Sequence, residues 1–194
     1  MTTRAKPPLS PETTGTPTLF VAFELGVSTW RLGCTTGVAQ RPRERQVPAG
    51  EVHTVLVEID RAKQRFDLPV QTRVVSGYEA GRDGFWLHRC LVAQGVENLV
   101  VDSSSIEVNR RQRRAKTDRL DVQKLLMLLR RYCAGETRVW SVVRGPSGED
   151  EDRRQLHREL ITTKRDRTRV IHRIKGLLAG YGIRRTLQGD GPPQ

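Results

Sequence analysis

The sequence predicts an α/β fold, a mixed sheet flanked by helices, followed by a long helical segment. Three observations carry this. A short apolar run at residues 19–25 and the segments 70–75 and 98–102 read as strands, the first and last of them buried. Between them the apolar spacing changes to three- and four-residue steps, the mark of helices laying one face on a sheet. From residue 149 the pattern is continuously helical and highly charged, with only a sparse apolar seam.

Taken in order, residues 1–17 hold Pro7, Pro8, Pro11 and Pro17 among Thr and Ser, a composition too poor in apolar residues to offset the entropy of ordering. A disordered leader is expected over 1–18. Leu19 to Leu25 then forms a strand ending at Gly26, and 28–35 pairs back on it as a hairpin, with a weak third strand near 45–47. From Glu51 the residues Val52, Val55, Leu56, Ile59, Ala62 and Phe66 line one helix face, and Pro69 stops it. A strand over 70–75 is followed by a loop at 77–81. A second helix over 83–94 points Trp86, Leu87, Cys90 and Leu91 inward, with Gly95 placed to cap it. Residues 98–102 give another buried strand. The order strand, strand, weak strand, helix, strand, helix, strand means a mixed sheet. A basic connection leads to a helix over 118–132 that buries Leu120, Leu125, Leu128 and Leu129, and 137–143 is a last extended segment. The helix from 149 to 179 has the seam Leu156, Leu160, Val170, Ile174 and Leu177, too thin for stability alone, so it is expected to pair. The boundaries read 1–18, 19–145, 149–183 and a frayed tail at 184–194.

The 194 residues carry 34 Lys+Arg against 22 Asp+Glu, a net charge of +12. Residues 1–100 hold 12 basic and 10 acidic groups, whereas 101–194 hold 22 and 12, so the excess sits in the second half. Of the 34 basic residues 28 are Arg, the residue that forks onto phosphate; codon bias offers a second explanation of that ratio. No apolar run is longer than that at 125–129, far too short for a membrane span. Cys34, Cys90 and Cys133 are odd in number and widely spaced, which argues against a disulfide framework or a zinc site. A reducing cytoplasm is the expected location.

Four carboxylates stand where strands end or helices begin: Glu24, Glu79, Asp118 and Asp121. Functional groups gather at strand ends in open α/β sheets, and residues three apart share a helix face. Carboxylates brought together repel unless a cation neutralises them, and hard oxygen ligands select Mg²⁺ or Mn²⁺. Two such ions would clamp the attacking and leaving oxygens of a phosphodiester. The basic residues Arg110, Arg111, Arg113, Arg114, Lys116 and Arg119 would hold a nucleic-acid backbone beside them. Each feature has a plainer reading. Asp118 with Asp121 is also an N-cap with an acidic third position, and the basic run is also a solvated loop. Ser103 to Ser105 has no accompanying His motif that would make one of them a nucleophile.

The residues themselves say more than their spacing. Tyr78-Glu-Ala-Gly-Arg-Asp-Gly-Phe-Trp-Leu87, Gly95-Val96, Val101-Asp-Ser-Ser-Ser-Ile106 and Arg113-Arg-Ala-Lys-Thr-Asp-Arg-Leu-Asp121 stand in this order, followed by Glu151-Asp-Arg-Arg and Leu177-Leu-x-x-Tyr-Gly-Ile183. This series resembles the DEDD-type transposases of insertion sequences, related to the Piv/MooV DNA invertases, over residues 19–183. The resemblance implies a RuvC-like, ribonuclease-H-type domain. It implies that Glu24, Glu79, Asp118 and Asp121 are the catalytic, Mg²⁺-binding (or Mn²⁺-binding) set. The family has Asp at the first position; Glu24 is one methylene longer, which displaces the ligand oxygen unless its rotamer adapts. The resemblance further implies DNA as substrate, a structured guide RNA as partner, and a coiled coil in the long helix supporting a dimer or tetramer in the bacterial cytoplasm. The family's catalytic serine lies in a C-terminal domain, and no residue up to Gln194 takes that role. The expectation is therefore the N-terminal domain of a DNA transposase acting in strand cleavage and exchange or, alternatively, a truncated, non-catalytic nucleic-acid-binding and oligomerisation module.

Overall fold

The computed structural model of the chain describes residues 17–37, 40–81, 85–106 and 118–184, and in the last stretch the side chains from 121 onward. The chain divides into two compact units, 1–145 and 146–194.

The first unit is a mixed α/β layer structure. Its strands are β1 (Thr18–Leu25), β2 (Thr29–Thr35), β3 (Arg43–Pro48), β4 (Arg73–Glu79), β5 (Glu97–Val101) and β6 (Val142–Val143), arranged in one sheet in the order β3-β2-β1-β4-β5-β6. β1, β2 and β3 form an antiparallel meander. β4 and β5 run parallel to β1, and β6 closes the edge antiparallel to β5. The parallel strands are joined through α1 (Val52–Arg65) and α2 (Trp86–Ala93), because a parallel return needs a crossover. α3 (Asp118–Cys133) follows β5 in sequence.

Both faces of the sheet are covered, so its central strands are apolar on both sides. Leu19, Val21, Phe23, Trp30, Leu32, Cys34 and Val47 point to one face and meet Val55, Ile59 and Ala62 of α1 with Leu87 and Leu91 of α2. Phe20, Ala22, Val75, Leu99 and Val101 point to the other and meet Val122, Leu125, Leu126 and Leu129 of α3. Small residues let α3 come close. Gly33, Ala22 and Gly77 lie side by side across three strands. A Cβ on Gly33 would run into Val122 and stand 2.7 Å from Leu126 Cδ1. Gly26 turns the β1–β2 hairpin, where a Cβ would lie 2.5 Å from the Thr29 carbonyl oxygen.

Several boundaries differ from the sequence expectation. β4 begins at Arg73 rather than at residue 70 and runs on through 77–79, which the pattern assigns to a loop; Val70 is exposed. The run looked finished because Ser76 and Gly77 follow Val75. Ser76 is instead fully buried and donates to Asn98 Oδ1 at 2.7 Å, while the Asn98 amide meets His88 Nδ1 at 3.0 Å. α1 ends before Pro69: Asp67 takes a left-handed conformation (φ 52°) two residues earlier. α2 is described from Trp86, with residues 82–84 outside the described residues; Cys90 is half-buried, and Trp86, also half-buried, faces the core as expected. Trp86 packs on buried Trp30, ring centroids 5.8 Å apart. Leu120 lies outside the described side chains. β1 already starts at Thr18, and the remainder of the leader, 1–16, and the tail, 185–194, lie outside the described residues. β6 is a two-residue strand within the expected extended segment.

The second unit is dominated by α4 (Gly148–Ala179), 32 residues long. Ser147 caps it by accepting from the Asp150 N–H at 3.1 Å, and Glu149, Asp150 and Glu151 sit in the positive first turn. The seam residues Leu156, Leu160, Val170, Ile174 and Leu177 are all exposed. Among the described residues no helix is long and apolar enough to cross a membrane.

Candidate functional site

The parallel pairing of β1 and β4 sets Phe23 opposite Tyr78. One residue further along, Glu24 and Glu79 leave the ends of the two neighbouring strands. Strand alternation turns both toward the α3 face, since Ala22 and Gly77 lie two residues before them on that face. They share a cleft of about 210 Å³ lined by Phe23, Glu24, Leu25, Tyr78, Glu79, Ala80, Gly81 and Ser103. The carboxylates are half-buried, while the side chains of Phe23 and Tyr78, next to them in the strands, are buried in the core on the α1 face. Two of the four sequence-predicted acidic residues are thus brought to one place.

The other two belong to α3. Asp121 is half-buried in α3, and Asp118 opens that helix with its side chain outside the described residues. Among the described residues no group of three or more His, Cys, Asp or Glu side chains converges as a metal cage. Arg110, Arg111, Arg113, Arg114 and Lys116 lie in 107–117, outside the described residues, and Arg119 is in α3 with its side chain not described. The donor set that does converge is a pair of carboxylates. Such a pair suits a hard cation that keeps several waters, since Mg²⁺ is commonly held by one or two carboxylates.

Position-by-position reading missed the neighbours of this cleft. Arg31 of β2 stands directly across from Glu24, a spacing at which cross-strand side chains interact. Its Nη1 lies 3.7 Å from Glu44 Oε2, and Glu44 Oε1 accepts from Gln123 Nε2 of α3 at 2.6 Å. The chain of contacts ties the α3 turn after Asp121 to the strands next to Glu24. Only the hairpin register, which composition does not reveal, puts Arg31 there. Ser103 also lines the cleft, from the 3-10 turn 103–105 after β5. Its neighbours are engaged in that turn. Asp102 Oδ1 accepts from the Ser104 N–H at 3.0 Å and its hydroxyl at 2.8 Å, and Ser105 Oγ accepts from the Ser141 N–H at 2.7 Å. The cysteines are free thiols, and burial pushes the Cys34 thiol up to about 12, so it stays protonated.

No family model matches the chain. It is 39% identical over 170 residues to a curated protein of Sinorhizobium fredii (strain NBRC 101917 / NGR234) named "Putative transposase y4rJ". This similarity supports a general transposase assignment. The matched stretch takes in 85% of this chain but 42% of the relative, so the chain spans about two fifths of that protein's length.

Proposed function

We propose that the chain is a nucleic-acid-binding and self-assembling module of a DNA transposase, and that its hold on nucleic acid does not depend on a metal ion. The similarity to a transposase supports the partner class. The concentration of basic residues after position 100 supports backbone contact. The single observation that favours binding over chemistry is that, among the described residues, the acidic groups do not assemble beyond a pair. The exposed seam of α4 supports assembly with a second copy through a coiled coil, as a dimer or tetramer. A structured RNA remains part of this proposal as a second partner.

One observation favours a second reading, a metal-dependent RuvC-like recombinase domain: Glu24 and Glu79 share a cleft at the ends of adjacent strands. The meander followed by two parallel strands supports the ribonuclease-H-type assignment on which that reading rests. In it, Glu24 and Glu79 would hold Mg²⁺ or Mn²⁺ with Asp118 and Asp121 of α3. The bound ion would supply Lewis-acid activation of a phosphodiester. The chain's own part would be to hold the two half-buried carboxylates in register at the ends of adjacent strands.

A calorimetric Mg²⁺ titration of the full chain separates the two. The binding-module reading predicts no saturable heat that Glu79→Gln removes. A saturable heat in the wild type, lost in both Glu24→Gln and Glu79→Gln variants of unchanged thermal stability, would establish the second reading instead.

A further inference from the structure

We propose that the outer edge of the sheet, where Arg45 and Arg61 stand at the Glu58 carboxylate, is a contact site for the phosphodiester backbone of a nucleic acid. The inference rests on the nucleic-acid reading above and adds a surface to it.

Glu58 belongs to α1 and faces β3, with its side chain 8% exposed. Its Oε2 accepts from Arg43 Nη2 at 2.5 Å and its Oε1 from Arg61 Nη1 at 2.6 Å, while Arg45 Nε lies 3.8 Å from Oε2. Three guanidinium groups therefore surround one carboxylate, and the cluster carries a surplus of two positive charges. Arg43, whose side chain is 12% exposed, ties β3 to α1 through Glu58. Arg45 and Arg61 are not part of that interior: their side chains are 56% and 61% exposed.

Two exposed guanidinium groups beside one carboxylate leave a local excess of positive charge, which a further anion would offset. Each guanidinium has five N–H donors. Arg61 gives one to Glu58, and Arg45 gives one to the Glu44 carbonyl at 3.0 Å. The remaining donors of these two exposed guanidinium groups match phosphodiester oxygens, one phosphate to each group, which arginine binds in a bidentate fork. Glu58 limits how far both groups wander, so less side-chain entropy is lost on binding. Among the described residues β3 is the last strand of the sheet, with no further strand between this cluster and an approaching chain. Arg45 points to the α1 face, opposite to Glu24, because its partners Leu32 and Phe23 belong to the core on that face.

The test is fluorescence-anisotropy binding of the full chain to a short mixed-sequence DNA duplex and to an RNA hairpin, each over a salt series. An Arg45→Ala/Arg61→Ala variant is expected to bind more weakly and to lower the slope of log K against log salt by about 1.8 on duplex DNA, at about 0.9 per phosphate contact. A lower slope on the hairpin alone assigns the contact to RNA, and on both to either backbone. Arg45→Ala alone, at the more loosely held group, is expected to lower it by about 0.9 and decides the matter should the double variant not fold. Variants that melt like the wild type and keep its slope on both probes overturn the site and leave the nucleic-acid reading standing. A wild-type chain that binds neither probe overturns that reading and this site with it.

Discussion

At the scale of single residues, Glu58 is the buried charge with the clearest physical consequence. Burial pushes its carboxyl up, but the hydrogen bonds from Arg43 and Arg61 outweigh burial and hold it below the ordinary value of 4.5. A carboxylate depressed in the folded state stabilises the protein fully above that value, and the contribution is lost as pH falls through the lowered one. Thermal melts of the full chain should therefore drop in an acid window that begins just below pH 4.5. Glu58→Gln should flatten the drop in that window. At pH 7 the same variant should cost about 3 kcal/mol, because Arg43 is left buried without its counter-charge. An unchanged acid limb in Glu58→Gln would show that other carboxylates carry it. None of this was legible residue by residue. Glu58 falls on the apolar face of α1 between Val55 and Ile59, where spacing alone expects an apolar side chain. Its partners become visible only once β3 is docked on the helix.

At the scale of elements, period and punctuation located the strands and helices well, because each buries a continuous face. They failed where a buried position is not apolar. Ser76 and Gly77 broke the β4 run in the sequence, yet one is satisfied by Asn98 and the other makes room beside Leu129. That shift moved Glu79 from a loop to the last residue of a strand, and it is the reason Glu79 can share a cleft with Glu24. The close seat of α3 on β2 and β1 is the element-level feature most open to test. Gly33→Ala places a Cβ against Val122 and 2.7 Å from Leu126 Cδ1. It should destabilise the chain by about 1–3 kcal/mol, the usual range for overpacking, as read by urea unfolding. Because α3 carries Asp118 and Asp121, its displacement would also move them relative to the cleft. A Gly33→Ala chain as stable as the wild type would mean that Val122 and Leu126 repack freely and that the small-residue row is not what seats the helix.

At the scale of the whole molecule, the charge count by halves was informative and also concealing. It directed attention to the basic run at 110–119 and to α4, where the surplus lies. It also averaged the first hundred residues to +2 and so hid the arginine cluster at the sheet edge, whose neighbours Glu44, Glu51, Glu58 and Asp60 cancel it in the sum. Glu24 and Glu79 could be picked out in advance because strand ends of adjacent parallel strands meet whatever the details of packing. Where α3 places Asp121 relative to them depends on the seat of a whole helix, which sequence spacing does not encode. The similarity to a transposase, the basic second half and the exposed arginines at the edge support the central proposal, that this chain holds a nucleic acid by the nucleic acid's backbone. The most direct measurement is the affinity of the full chain for duplex DNA across a salt series in the presence of a chelator. The account predicts retention without divalent metal and a log–log slope of several units, steepening with each phosphate engaged. Absence of binding at low salt, or binding with a slope near zero, would contradict it.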